Sequence, residues 1–131
     1  MSEGVNLLVV SGSSCKHIAE DMAQILGCEH HSLEARRFPD TEGYFRVPER
    51  SIEKIRSSPV VLVSNTFPDS CIIETILLLE AINDVREGKL EDIRGKGVDC
   101  EPTGPGIFLA IPYFGYSRQD KRFNQGEAVS A

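Results

Sequence analysis

Apolar residues recur along this chain in two rhythms, short unbroken runs and helical repeats, and the two alternate. Leu7-Leu-Val-Val10 is a partly β-branched run closed by Ser11-Gly-Ser-Ser14, which predicts a buried strand and a tight turn. Ile18, Met22, Ile25 and Leu26 follow at helical spacing, with Ser13 or Ser14 expected to cap that helix and Gly27 to end it. Glu29 to Leu33 reads as a second strand and Tyr44-Phe-Arg-Val47 as a third, separated by a turn over Ala35 to Gly43. Ser51 to Ser58 is either a polar connection or a short helix. Pro59-Val-Val-Leu-Val63 is the clearest buried strand, with the continuous apolar run of a parallel sheet covered on both faces.

Asp69 or Ser70 is expected to cap the longest helix, over Cys71 to Arg86, whose Ile72, Ile73, Ile76, Leu77, Leu79 and Ile82 form a broad apolar face for the sheet. Gly88 ends it. Residues 89–105 are polar, rich in Gly and Pro, and longer than most connections between elements. Ile107 to Ile111 then predicts a last strand. The order β-α-β-β-β-α-loop-β argues for one domain over residues 1–131, a three-layer α/β fold with a mainly parallel sheet and right-handed crossovers. Gly126 to Ala131 reads as the opening of another helix. A sheet lacking that helix and a further strand would expose an edge, so a dimer or larger species is expected.

Composition narrows the partners. The chain has 131 residues and a formal net charge of −6, so bulk charge does not draw it to nucleic acid, and an anionic ligand must be caught by a local cluster. No apolar run approaches the ~20 residues of a membrane span, and the first six residues lack the basic start of a signal peptide, so a cytoplasmic protein without membrane partners is expected. Cys15, Cys28, Cys71 and Cys100 are widely spaced, without a C-x-x-C pair, and read as reduced, partly buried thiols. Cys15, near a helix start, has reactivity as its alternative. His30 and His31 are adjacent in a predicted strand and so point to opposite faces, which removes them as a metal pair.

Two stretches carry more chemistry than their elements require. After the last strand the chain runs through Pro112 and three aromatics around Gly115 into Ser117-Arg-Gln-Asp-Lys-Arg122. Strand ends that open into such loops are where open α/β sheets place ligands, and Arg118, Lys121 and Arg122 against one carboxylate, Asp120, suit phosphate. The second stretch is Arg36-Arg-Phe-Pro-Asp-Thr-Glu42; taken alone, a solvated face accounts for Arg36 and Arg37 and a core position for Phe38. Neither G-x-G-x-x-G nor G-x-x-x-x-G-K-[ST] is present, and the serines at 11–14 serve as caps or as a phosphate seat.

Val10-Ser-Gly-Ser-Ser14, Arg37-Phe-Pro-Asp-Thr-Glu42 and above all Ile111-Pro-Tyr-Phe-Gly-Tyr-Ser-Arg-Gln-Asp-Lys-Arg122 resemble the ribose-phosphate pyrophosphokinases, the PRPP synthetases, in the family's order. Residues 123–130 are similar to the archaeal form. The resemblance implies transfer of diphosphate from ATP to the C1 hydroxyl of ribose 5-phosphate, with magnesium, giving PRPP and AMP. It implies phosphoribosyltransferase-like domains, of which this chain matches most of the first. Phe38 would stack on adenine, Asp40 and Glu42 would accept from base or ribose, and Thr41 would complete that turn. Arg118 and Gln119 would bind ATP, with Asp120, Lys121 and Arg122 on the phosphate side. The Phe38 turn would reach a neighbouring subunit, implying a homo-oligomer with shared ATP sites.

Two departures qualify this. Thr41 stands where the family commonly has Gly. The D-D-x-x-x-T-G loop, the catalytic-loop Lys and the metal-binding His are missing, so no catalytic or metal-binding residue is expected in this chain, which would be inactive alone. A non-catalytic nucleotide-binding regulatory subunit of a PRPP synthetase complex is the alternative.

Overall fold

The structure, a computed structural model, describes residues 6–88 and 106–131. Four strands form a parallel sheet in the order β2-β1-β5-β6: β1 (Leu8–Ser11), β2 (Glu29–Ser32), β5 (Val60–Val63) and β6 (Ile107–Ala110). A separate antiparallel hairpin, β3 (Glu34–Arg37) with β4 (Gly43–Arg46), leaves the sheet after β2, and its register pairs Arg37 with Gly43 and Arg36 with Tyr44. The helices are α1 (Lys16–Leu26), α2 (Glu49–Ser57) and α3 (Asp69–Arg86). The stretch that reads as a turn over Ala35 to Gly43 begins as strand β3, paired with β4, and the stretch Ser51 to Ser58, open by pattern between a connection and a helix, lies in or next to α2.

Strand alternation splits the core into two layers. Leu8, Val10, Val60 and Leu62 face α2 and α3, packing with Ile55, Leu78 and Ile82. Val9 and Val63 face α1, where Ala19, Ala23 and Cys15 are buried. The fold is therefore three-layer α/β, as expected. The β1 strand, between β2 and β5, is buried along its whole length, and in β5 Val60, Leu62 and Val63 are inaccessible to solvent.

Both main helices bury only part of the face predicted, Ile82 and Leu79 in α3 and Met22 in α1, together with smaller or unmarked residues. In α1 it is Ala19 and Ala23 that meet the sheet, while Ile18, Met22, Ile25 and Leu26 line one flank and Ile25 is 85% exposed. The short alanines let the helix approach the strands closely, and the larger side chains are left to the side. In α3 the inner face is Thr75, Leu78, Ile82 and Val85, whereas Ile73, Ile76 and Leu77 face outward. A helix apolar on most sides does not announce its buried face by pattern alone.

The caps also differ. Cys15 occupies the N-cap of α1 and Pro68 that of α3, neither with a side-chain capping bond, while Gly27 closes α1 in the left-handed conformation, φ 70. The serines after β1 are occupied elsewhere. Ser13 donates its N–H (3.0 Å) and hydroxyl (2.6 Å) to the buried Glu74 Oε1, and Ser14 Oγ accepts the Asn65 N–H at 3.2 Å. This seam locks β1, β5 and α3 together and takes the place of the expected cap. Residues 126–131 form no helix; the Glu127 carboxylate instead accepts from Phe123 N–H (2.9 Å) and Asn124 Nδ2 (2.6 Å), bonds that hold its pKa below the ordinary value.

Arg86 ends α3 buried, donating from Nε to the Ile55 carbonyl at 2.6 Å and from Nη2 to that of Ser58, which anchors α2 to α3. Among the described strands β6 is one edge of the sheet, and its Phe108 is 58% exposed. The long connection expected over 89–105 lies outside the described residues. Among the described residues no helix is long and apolar enough to cross a membrane.

Candidate functional site

Parallel strands β5 and β6 end side by side, so the loops that follow them meet at the C-terminal edge of the sheet. They are stitched together by polar contacts. Tyr113 N–H donates to Asn65 Oδ1 at 2.9 Å, Thr66 N–H to the Tyr113 carbonyl at 3.2 Å, and Gly115 N–H to Thr66 Oγ1 at 2.7 Å. Gly115 is required by space: a Cβ there would stand 2.3 Å from the Thr66 carbonyl oxygen. The phenol of Tyr116 donates to Asp69 Oδ1 at the start of α3, a bond that raises the Tyr116 pKa. Thr75, bonded to Ser64 Oγ (2.6 Å) and to the carbonyls of Cys71 (2.7 Å) and Asn65 (3.2 Å), fixes α3 against the end of β5.

Arg118 and Gln119 project from this platform between two clefts. One, of about 420 Å³, is lined by Phe67, Asp69, Tyr113, Tyr116, Arg118 and Gln119, with the Phe67 and Tyr113 rings edge to face at 5.5 Å. The other, of about 390 Å³, adds Lys121, Phe123 and Glu127. Arg118, Gln119, Asp120, Lys121 and Arg122 are all exposed, and Arg122 Nε donates to the Glu127 carbonyl at 3.0 Å. Exposed guanidinium and ammonium groups beside aromatic faces form a surface for a planar, anionic ligand.

The second predicted cluster is the turn between β3 and β4. Phe38 N–H donates to the Glu42 carbonyl (2.9 Å), Thr41 N–H to the Phe38 carbonyl (2.9 Å) and Glu42 N–H to Asp40 Oδ1 (3.0 Å). Thr41 adopts φ 76, so the turn keeps the left-handed conformation that Gly would take without strain, and Arg37 Nη1 donates to the Thr41 carbonyl at 2.9 Å. Phe38 is 41% exposed, not a core residue. Its ring meets Tyr44 edge to face at 5.6 Å, and the Arg36 guanidinium lies 5.3 Å from the Phe38 centroid and 4.3 Å from that of Tyr44. Arg36, paired with Glu34 at 3.1 Å, is exposed as a solvated face requires, and in addition lies against the Phe38 and Tyr44 rings.

The turn opens onto its own cleft of about 450 Å³, which Arg37, Thr41, Glu42 and Gly43 line with Ser70, Ile73 and Leu77 of α3. Thr41 and Glu42 of the Phe38 turn thus line one cleft, and Arg118 and Gln119 line two others. Among the described clefts none is lined by both pairs. Asn65, Thr66, Phe67 and Asp69, none of them among the predicted site residues, build the Arg118 platform. Their signal was a polar loop at the end of the strand beside β6.

Other chemistry is ruled down. His30 and His31 do point to opposite faces, His30 Nε2 lying 2.8 Å from Ser11 Oγ and His31 Nδ1 2.8 Å from Ser51 Oγ. Cys15 is buried, and burial pushes the Cys28 and Cys71 thiols up, with Glu74 adding to the effect at Cys71. Among the described residues no three His, Cys, Asp or Glu side chains group as a metal site.

Comparison with known proteins gives one consistent answer. Residues 7–89 match the N-terminal domain of ribose phosphate pyrophosphokinase. The chain is 36% identical over 126 residues to a ribose-phosphate pyrophosphokinase of Saccharolobus solfataricus and 34% identical over 125 residues to one of Methanosarcina mazei, covering 95% of this chain in both cases. It spans 36% and 35% of those two relatives, about a third of their length. The crystal structure of phosphoribosylpyrophosphate synthetase from Mycobacterium smegmatis superposes with a TM-score of 0.68 at 20% identity, over 95% of this chain and 36% of that one, and so shares its fold.

Proposed function

Since the chain belongs to the ribose phosphate pyrophosphokinase N-terminal domain family, we propose that it is the ATP-side part of an enzyme transferring diphosphate from ATP to ribose 5-phosphate. Arg118 and Gln119 bind the nucleotide from the loop after β6, with Asp120, Lys121 and Arg122 along its phosphates. Phe38 stacks on the base, and Asp40, Thr41 and Glu42 supply its polar contacts. The observation that carries this reading is the exposed Arg118 and Gln119 wall between two clefts at the strand ends.

The separation of the Phe38 turn from that wall supports a site completed by a second copy, so the working form is a homo-oligomer. Phosphoryl-type transfer depends on positioning and on neutralising oxygen charge, which is what a fork of guanidinium donors supplies. The described residues do not fit a protein-held magnesium, so no step is assigned to one; the ion belongs to the nucleotide's phosphates. No role in binding ribose 5-phosphate or in the transfer itself is assigned to the residues named here, and a cytoplasmic setting belongs to the same reading.

Calorimetric titration of ATP with magnesium tests the proposal. Saturable binding that Arg118→Ala removes is expected, with no AMP released when ribose 5-phosphate is added. Binding unchanged by Arg118→Ala overturns the assignment, and steady AMP release overturns the division of labour.

A further inference from the structure

The turn that presents Arg118 and Gln119 is fixed at its start by Tyr116, to which the reading above gives no role. Tyr116 adopts φ 65, a backbone conformation that a residue with a side chain keeps only where its surroundings hold it. It is held at both ends. Its carbonyl accepts the Gln119 N–H at 2.8 Å, closing the turn 116–119, and its phenol donates to Asp69 Oδ1 on the first residue of α3. Asp69 is in turn rigidly placed, because the first turns of α3 are fixed to the end of β5 through Thr75. The phenol is thus a strut between a fixed helix start and the mobile-by-nature tip of a basic loop.

Its neighbours on the chain are held differently. Tyr113 and Gly115 are bonded to the β5 loop through their main chain, which fixes the loop's root. On the far side of the turn the Gln119 carbonyl accepts the Ser130 N–H at 3.1 Å and Ser130 Oγ donates to Gln119 Oε1 at 3.2 Å, so Arg118 sits between two anchors, and Tyr116 is the one that ties it to the sheet end.

We infer that Asp69 and Tyr116 form a latch that positions Arg118 and Gln119 for the nucleotide, acting as positioning residues through the turn that carries them. This rests on the proposal that Arg118 and Gln119 hold ATP. Released from Asp69, the turn explores other conformations, and ATP must reorder it on binding. The cost appears in affinity rather than in the fold, because the Thr66 and Asn65 contacts and the core beneath them are untouched.

The test uses the whole chain and two readouts. In calorimetric titration with ATP and magnesium, Tyr116→Phe weakens binding roughly fivefold, on the scale of one exposed charge-assisted hydrogen bond. Asp69→Ala gives a similar loss, and Asp69→Asn, whose amide oxygen still accepts from the phenol, restores most of it. Independently of nucleotide, trypsin cleaves after Arg118 faster in Tyr116→Phe than in the wild type, with unchanged circular dichroism. Wild-type affinity in Tyr116→Phe beside lost binding in Arg118→Ala overturns the latch alone. If the wild type binds no ATP, the proposed function fails, and cleavage at an unchanged rate overturns the latch as well.

Discussion

Replacing Gly115 by Ala tests how the basic loop is mounted. The added Cβ would lie 2.3 Å from the Thr66 carbonyl oxygen and 2.9 Å from its carbon, both main-chain atoms that no rotamer change can move aside. Ordinary contact distances require the two loops to separate by roughly 1 Å. That displacement breaks the Gly115 N–H bond to Thr66 Oγ1 and strains the Thr66 N–H bond to the Tyr113 carbonyl, 2.7 and 3.2 Å in the wild type. At about 1 kcal/mol net for each, the loss is about 2 kcal/mol. For a domain of this size that lowers the thermal midpoint by roughly 8 °C.

The core beneath is untouched, so the transition should stay cooperative and far-ultraviolet circular dichroism at 25 °C unchanged. ATP affinity should fall together with the midpoint, because the same displacement moves Arg118. A variant that melts within 1 °C of the wild type and binds ATP equally well would refute the close approach of the two loops.

Two further predictions concern strain and charge. Thr41→Gly relieves a left-handed conformation that costs a side-chain-bearing residue about 1–2 kcal/mol, against roughly 0.5–1 kcal/mol of added freedom in the unfolded chain, so a small net stabilisation is expected in urea titration; a clear destabilisation would show that the Thr41 side chain contributes something else. His30, whose pKa is lowered from 6.5 chiefly by burial, favours the neutral form in the fold, although Glu20 pulls the other way. The unfolded chain therefore takes up its proton first as pH falls, and stability present above about pH 6.5 declines below it. Urea midpoints at pH 7.5 and 5.5 should differ less in His30→Gln than in the wild type, and an equal difference would remove His30 from the account.

Period and run length revealed the strands of the parallel sheet, because a strand buried on both faces must be continuously apolar, as Val60 to Val63 are, but they missed the polar strand β3, Glu34–Arg37, which reads as a turn. On the helix faces they succeeded only in part. In α1 the residues that touch the sheet are the two alanines, which carry almost no pattern signal, and in α3 the apolar residues extend nearly around the helix. The serines after β1 looked like caps because Ser is the usual cap, yet a buried carboxylate 61 residues later claims Ser13. That contact depends on the crossing of β1 and α3, which no local window contains.

The candidate site was legible in part for the same reason. Arg118 to Arg122 stand out as a basic cluster in an acidic chain, and the Phe38 turn as a turn with too much chemistry. Their support was hidden: Thr66, Asp69 and Tyr116 meet across about fifty residues of sequence, and Arg36 is recognisable as a ring-stacking residue only once Tyr44 is seen opposite it in the hairpin.

The most direct test of the central claim, a nucleotide site shared between two copies, is complementation. Phe38→Ala keeps an intact Arg118 loop, and Arg118→Ala keeps an intact Phe38 turn. Each alone should bind ATP weakly or not at all. Mixed and allowed to exchange subunits, they form interfaces where the Arg118 of one chain meets the Phe38 of the other, and calorimetry should recover a fraction of wild-type sites. If the mixture binds no better than its two components, the two clusters do not meet between chains, and the shared-site account is contradicted.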